Sequence, residues 1–339
     1  MLFKLELKKI MLLPVIIVFA ALSIVLNAVI VVTSNDYTLK YEGEIINIFE
    51  GFNTSQIAET YIMKYGITGK NADNIRNKYE KLQPVIDKKA VNGDALSNYF
   101  GGRTYYLHGM LFNIMFIAII GEGCLLALFA GLISVTYEKL RGTEHIISAT
   151  KVGRRVLRTK LCAALTAAIA MTAIILGVSL WIFFLKFNFS DVWNDNVSSM
   201  FNYAVNEFGK PFMTWQSFTV KEYLWAVVAV SFGMVVCFCL LGCAAGVFVR
   251  SGYRGFLAAV LPVGITFIAK FLFPIGSVSR AILGLTPVWL LKNSGEWFTD
   301  GGVDIIWANF ESVGIFLSLI VLSIILLIVT KVYKRRDLL

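Results

Sequence analysis

The chain alternates long apolar runs with polar segments, and this pattern predicts membrane-spanning helices. Six runs reach the length of about 17–25 residues that a helix needs to cross a hydrocarbon core about 30 Å thick. They are Met11–Thr33, Met110–Thr136, Leu161–Leu185, Tyr223–Val249, Phe256–Phe273 and Phe310–Thr330. A further stretch, Ser279–Leu291, is too short to span and predicts a re-entrant or interfacial segment between the fifth and sixth runs. The predicted fold is therefore an all-α integral membrane protein with six transmembrane helices.

The first run has an alternative interpretation as a cleaved signal peptide. The apolar core of a signal peptide is about 7–15 residues and is followed by small residues at the cleavage site. This run is longer and ends in Val31, Val32 and Thr33. The pattern favours an uncleaved helix.

Basic residues are concentrated in four short segments. Together these segments hold 16 basic and 4 acidic residues, whereas the segments on the opposite side hold 14 basic and 17 acidic ones. The four basic segments are Met1–Ile10, Tyr137–Lys160, Arg250–Gly255 and Lys331–Leu339. Because lysine and arginine accumulate in cytoplasmic loops, both termini are predicted to be cytoplasmic. The net charge of +9 then reflects membrane orientation and does not indicate a nucleic-acid partner.

The polar pattern divides the chain into three parts. Residues 1–33 form an N-terminal interfacial helix and the first span, residues 34–107 a small extracytoplasmic domain, and residues 108–339 the remaining five spans with a cytoplasmic segment at 137–160. The five cysteines all lie in or beside apolar runs, so no disulfide framework is predicted.

The extracytoplasmic domain is small for an independent fold. Its stretch Ile75–Lys88 predicts short helices that are broken at Pro84. A domain of about 70 residues lies near the lower size limit for a stable hydrophobic core without disulfides or bound metal ions. We expect it to lean on the membrane domain or on a second copy of the chain.

Several kinds of chemistry are missing from the sequence. There is no G-x-x-x-x-G-K-[ST] phosphate loop, and the nearest string, Gly66–Lys70, has the wrong spacing. Only two histidines occur, His108 and His145, and the predicted topology separates them. We therefore predict no catalytic residues, no metal site and no cofactor on this chain.

The segment Tyr137–Lys160 contains seven basic residues interspersed with apolar ones, and Gly142 and Gly153 bracket a short predicted helix. A loop needed only for orientation would not require the apolar positions. Two interpretations remain. The helix lies on anionic lipid, or its apolar face docks into a groove on a cytoplasmic partner.

This segment resembles the cytoplasmic loop between the second and third helices in permease subunits of ABC-2-type transporters. The family pattern is an acidic residue and a glycine, a short helix, and a Gly-Arg-rich stretch leading to a lysine. Here the pattern is occupied by Glu138, Gly142, Glu144, Ser148, Thr150, Gly153, Arg154, Arg155 and Lys160. The N-terminal stretch with Phe3, Leu7 and Ile10 on one face, and Leu285-Thr286-Pro287 in the re-entrant segment, also match the family.

The resemblance implies that the segment is a coupling helix held in a cleft of a separate ATPase subunit. The residues expected to contact that partner are Glu138, Gly142, Thr143, Glu144, Ile146, Ile147, Thr150 and Lys151. ATP and Mg would be bound by two copies of the ATPase subunit. A second permease subunit, the same or homologous, would complete the assembly in a plasma membrane, and the lysine-rich composition favours a bacterial one. The long 34–107 insertion favours peptide or drug export over polysaccharide export.

Two charges lie within predicted spans. Glu122 sits midway along the second span, where an ionised side chain costs at least about 2.5–3.5 kcal/mol. We expect it to line a translocation path or a subunit interface. Lys270 is expected either to reach the membrane interface or to pair with an acid such as Glu122.

Small residues mark close helix packing in lipid. Gly242 and Gly246 in the fourth span, and four alanines in the third, pack either within one subunit or across a dimer seam. The alanines are Ala163, Ala164, Ala167 and Ala168.

The sequence thus favours an ATP-driven exporter of amphipathic or hydrophobic cargo that passes at a dimer interface. By resemblance, the second and fifth spans line that path. An ion-coupled secondary transporter using Glu122 is one alternative, and a non-transporting membrane sensor or scaffold is another.

Overall fold

The computed structural model describes residues 2–34, 46–97, 107–143, 156–201, 210–249 and 252–335. Within these ranges the chain forms helices, and no β-strand is present beyond two isolated bridges. The α-helices are α1 Leu2–Met11, α2 Pro14–Thr33, α3 Thr54–Tyr65, α4 Lys70–Asn92, α5 Phe116–Leu140, α6 Val156–Lys186, α7 Val220–Phe248, α8 Gly252–Ala269, α9 Val278–Gly284, α10 Pro287–Lys292 and α11 Phe310–Arg335.

Six of these helices are long and apolar enough to cross a membrane, which confirms the predicted number. They are α2, α5 with the preceding π-helical turn Gly109–Met115, α6, α7, α8 with the 3-10 turn that follows it, and α11. The chain is therefore an all-α, multi-pass membrane protein. The apolar stretch predicted to be too short to span forms α9 and α10 and the turn between them.

Contacts between helix ends relate the directions of three spans, α2, α5 and α6. Lys186 at the end of α6 donates to three backbone carbonyls at the end of α2. Lys160 at the start of α6 pairs with Glu138 at the end of α5. One end of the bundle therefore holds α1, and we name it the α1 end. The opposite end holds α3 and α4, and we name it the hairpin end.

Helix α5 is the central helix, and α6 and α7 pack closely against it. A Cβ atom on Gly242 of α7 would lie 2.2 Å from the carbonyl oxygen of Leu128 in α5. A Cβ atom on Gly131 of α5 would lie 2.4 Å from the carbonyl oxygen of Cys239 in α7. Only glycine permits this approach of the two backbones. The small residues of α7 thus pack within one copy of the chain, and the dimer-seam alternative for Gly242 is wrong.

The alanines of α6 belong to the same tight packing. They are buried with Ala127 and Ala130 of α5, and with Ile10 of α1. By contrast α8 and α11 lie at the periphery, where only 17% of each span is buried against 61% for α5. The peripheral helices present broad apolar faces outside the bundle.

Helices α3 and α4 form a hairpin whose apolar face is buried. Ile75, Tyr79, Leu82 and Ile86 face inward on successive turns of α4 and have no exposed surface. The prediction of a break at Pro84 was wrong, because α4 runs unbroken from Lys70 to Asn92. Proline removes one backbone donor, but burial of four large side chains on one helix face, each worth about 1.5–3 kcal/mol, outweighs that loss.

The hairpin is tied to the loops of the bundle by buried lysines. Lys78 of α4 donates to the carbonyl oxygens of Asp300 and Gly302, at 3.2 and 2.5 Å. Lys89 donates to hydroxyls of Ser198 and Thr214, both at 3.1 Å. The hairpin also buries Met213 in its own core. The region thus packs against the membrane domain of the same chain.

One of the two predictions for Lys270, pairing with an acid, is confirmed, but the acid is Asp304 and not Glu122. The side chain of Lys270 is fully buried, and its ammonium lies 3.0 Å from the carboxylate of Asp304. The ammonium also lies 3.8 Å from the centre of the Trp289 ring, a cation–π distance. Arg280 of α9 contacts the same carboxylate at 2.7 Å. This cluster fixes α9 and α10 against the end of α8.

Candidate functional site

The predicted coupling segment begins where α5 is capped. Gly142 adopts the left-handed conformation, with φ of 69°, and the backbone N–H of Thr143 donates to the carbonyl of Glu138 at 3.0 Å. This is the arrangement that glycine favours after the last turn of a helix. The chain resumes as α6 at Val156. The remaining residues predicted to contact an ATPase lie outside the described residues, and their roles stay predictions. They are Glu144, Ile146, Ile147, Thr150 and Lys151.

Glu138 is buried and holds together three helices at the α1 end. One of its carboxylate oxygens accepts a hydrogen bond from Lys9 of α1 at 2.6 Å, and the other pairs with Lys160 of α6. Lys9 also pairs with Glu6 of α1. The carboxylate of Glu138 is thus buried and paired within the chain, and its predicted contact with a partner stays a prediction.

Electrostatics strengthens this cluster. Burial disfavours the charged form of Lys9, but its hydrogen bonds to Glu138 and Glu6 and their attraction outweigh that effect and raise its pKa. The neighbouring Lys139 donates to the carbonyl oxygens of Gly246 and Val249 at 2.9 and 3.3 Å, which satisfies acceptors at the end of α7. The two helix ends that flank the coupling segment are therefore bonded to α1 and α7.

Glu122 lies inside the bundle, between three spans. One of its oxygens accepts a hydrogen bond from the amide of Asn27 in α2 at 2.9 Å, and that amide also lies 3.0 Å from the hydroxyl of Ser179 in α6. The second oxygen of Glu122 is buried without a hydrogen-bond partner among the described residues. Polar groups buried in a span mark functional sites by default. Glu122 therefore faces polar neighbours of its own chain.

An apolar groove of about 400 Å³ opens between α7, α8 and α11 and is closed at one end by α9 and α10. Pro262 of α8 and Pro287 of α10 line it, and Thr266 and Ser318 are among its few polar side chains. The groove adjoins the two least buried spans. Its chemistry suits an acyl chain or an apolar side chain, and no described residue in it carries a charge.

Sequence reasoning missed the partners of the residues it selected. Asn27 is a polar residue within an apolar run, so its position was a visible signal that went unused. Ser179 and Asp304 gave no such signal, because serine is common in membrane helices and Asp304 lies in a polar loop.

Comparison with known proteins assigns no family to this arrangement. No protein-family model matches the chain, no curated protein matches it, and no solved structure matches its fold.

Proposed function

We propose that this chain is the permease subunit of an ATP-driven exporter of the ABC-2 type. The observation that supports the proposal most directly is the Glu138 cluster. It bonds α1, α5 and α6 to one another at the two ends of the segment 144–155. A displacement of that segment by a partner would therefore move three helices together. A loop that served only to connect two spans would not need these bonds.

The proposed orientation places the α1 end in the cytoplasm and the hairpin end outside. The basic excess at the α1 end supports this orientation through the preference of lysine and arginine for cytoplasmic loops. Two ATPase subunits carrying ATP and Mg would bind at the α1 end. The proposed location is a bacterial plasma membrane.

Of the two helices that the resemblance places along the cargo path, we favour α8 over α5. Helix α5 is mostly buried in one copy of the chain, so little of its surface remains to line a path between two copies. Helix α8 has broad exposed apolar faces and borders the apolar groove. We place the path along α8, with cargo that is amphipathic or hydrophobic, such as a peptide, a lipid-like molecule or a drug.

The test is a photo-crosslinking map of the full chain expressed with its neighbouring genes. A benzophenone amino acid replaces Ile147 in the coupling segment, and a control variant carries it at Val91, which is 88% exposed in α4. We expect position 147 to capture an ATPase that contains a phosphate loop, and position 91 to capture none. Crosslinks from position 147 to lipid alone, in cells that express such an ATPase, would contradict the proposal.

The Glu122 site favours one second candidate, an ion-coupled transporter. A carboxylate with one unpartnered oxygen, beside Asn27 and Ser179, has the oxygen donors that a proton or a small cation requires. Transport into vesicles that continues without any ATPase, and stops in Glu122→Gln, would support this candidate. Vanadate-sensitive transport that survives Glu122→Gln would exclude it, and no transport at all would favour a sensor.

A further inference from the structure

A second cavity, of about 470 Å³, lies at the hairpin end where α5 begins. Its volume falls in the range of small-molecule sites, about 300–1,000 Å³. The wall is formed by the first turns of α5, by the loop before α7 and by the loop after α10. The π-helical turn Gly109–Met115 contributes Asn113 to this wall, and such turns occur frequently at functional sites.

The wall is closely built on one side. A Cβ atom on Gly295 would lie 1.8 Å from the side-chain oxygen of Asn113. The absence of a side chain at 295 therefore lets the carboxamide of Asn113 reach the loop. Phe212 and Met213 also line the cavity and provide an apolar surface, and Met213 is also part of the core of the hairpin.

The charges around the cavity fall into two groups. Lys210 and Asp300 form an ion pair of 2.7 Å, and Asp300 also accepts a hydrogen bond from Tyr79 at 2.5 Å. Those two charges satisfy each other. Lys292 and Glu296 also line the cavity and are exposed, and no described residue forms an ion pair within 4.0 Å or a side-chain hydrogen bond with either of them.

Lys292 and Glu296 lie four residues apart, at the end of α10 and in the 3-10 turn that follows, yet they are not within ion-pair distance of each other. The ammonium of Lys292 lies 4.5 Å from the ring centre of Trp289, which restrains it. One cation and one anion thus line one cavity without pairing with each other, and the carboxamides of Asn113 and Asn293 line it as well.

The geometry points to a binding site for a small zwitterion with an apolar portion. Its anionic group would be bound by Lys292 and its ammonium by Glu296, while the apolar portion contacts Phe212 and Met213. A short peptide with free termini has this chemistry, and so does the headgroup of a zwitterionic lipid. The inference does not rest on ATP-driven transport, because it concerns binding alone.

The experiment measures binding of trileucine to the full-length chain in nanodiscs of phosphatidylglycerol, which lacks an ammonium group. Lys292→Gln and Glu296→Gln should each weaken binding by at least about tenfold, as expected for the loss of one charge-assisted hydrogen bond. Matched controls are Lys81→Gln and Glu80→Gln, which remove the same charges from exposed positions of α4. The controls should bind as the wild type does.

Two blocked peptides assign each end of the ligand. The wild type should bind amino-terminally acetylated trileucine more weakly than free trileucine, whereas Glu296→Gln should bind the two peptides with equal affinity. Likewise, the wild type should bind carboxyl-amidated trileucine more weakly than free trileucine, whereas Lys292→Gln should bind the two with equal affinity. If the ratio of affinities for free and blocked trileucine were the same in the wild type and in both variants, the inference would be overturned.

A second arm uses nanodiscs of phosphatidylethanolamine. If a lipid headgroup occupies the site, trileucine binding falls in these nanodiscs, and native mass spectrometry finds the lipid retained by the wild type but not by Glu296→Gln. If a free zwitterion is the ligand, trileucine binds equally in both membranes. The inference would be overturned if trileucine did not bind and if lipid retention were the same in the wild type, Lys292→Gln and Glu296→Gln.

Discussion

The two ends of the bundle use charge in different ways. At the hairpin end, Asp300 and Lys78 are fully buried, and backbone carbonyls, a tyrosine and a further lysine satisfy them. At the α1 end, the buried carboxylate of Glu138 joins the buried Lys160 to Lys9, which keeps some contact with solvent. A fully satisfied buried network resists rearrangement, whereas an ion pair with a partly exposed lysine can exchange partners at lower cost. The comparison teaches that the hairpin end is built as a fixed platform and the α1 end as the part that can move.

The pKa values at the hairpin end agree with this view. Burial would raise the pKa of Asp300, but attraction from Lys210 and Lys78 outweighs it and lowers the pKa. Burial is the dominant influence on Lys78 and lowers its pKa to about 8 despite Asp300. The lysine remains charged at neutral pH, and its ammonium can donate to the two carbonyls.

Removing Asp300 is the strongest test of the difference between the two ends. Asp300→Ala leaves Lys78 and Lys210 without their buried counter-charge, and we expect the free energy of unfolding to fall by about 3–5 kcal/mol. The measurement is denaturant or thermal unfolding of purified protein in detergent. Asp73→Ala is the control, because its ion pair with Arg76 is exposed and should cost less than about 1 kcal/mol. Equal losses in both variants would show that the hairpin end is not a buried platform.

The scaffold between the two ends can be tested at Gly242. Gly242→Ala places a methyl group against the Leu128 carbonyl and must separate α5 from α7, at a cost of about 1–3 kcal/mol. The matched control is Gly121→Ala in α5, where a Cβ atom meets nothing within 4 Å. The control should be neutral or slightly stabilising. The measurement is an unfolding curve of each variant. A Gly242→Ala protein as stable as the wild type would contradict the close contact between α5 and α7.

Titration sharpens the description of the hairpin end. Because the folded-state pKa of Lys78 is about 8 and an unfolded lysine has 10.5, the unfolded chain binds more protons between these values. The contribution of Lys78 to stability therefore rises with pH, by at most about 1.4 kcal/mol per pH unit. We expect the stability difference between wild type and Lys78→Met to grow in favour of the wild type from about pH 8 to pH 9.5. A constant difference would mean that the pKa of Lys78 is not lowered.

The smallest expected effect belongs to the α1 end. Glu138→Gln breaks both of its ion pairs, but the Gln carboxamide can still accept a hydrogen bond from either lysine, so the cost should be about 1 kcal/mol. The more informative readout is hydrogen exchange of the α1 amides, which we expect to become faster while those of α4 stay unchanged. High salt should reproduce part of the effect in the wild type, through the partly exposed pair of Lys9 with Glu138. If α4 exchanged faster as well, the two ends would not be independent.

The sequence predicted the spans well and the contacts poorly. Hydrophobic run length reports directly on membrane crossing, so six helices were found within a few residues of their ends. The continuity of α4 through Pro84 could not be predicted, because it depends on burial against loops far away in sequence. Lys270 shows the same limit. Its partner Asp304 lies 34 residues later in a polar loop, and no local pattern connects the two.

The Lys186 contacts with the end of α2 have a consequence for biosynthesis. Three carbonyls at that end, those of Val31, Val32 and Ser34, receive hydrogen bonds from a lysine more than 150 residues further along the chain. A nascent chain that has exposed only its first two spans therefore has no means of completing this cap. This cap on the first transmembrane segment can therefore form only after the third segment has been synthesised.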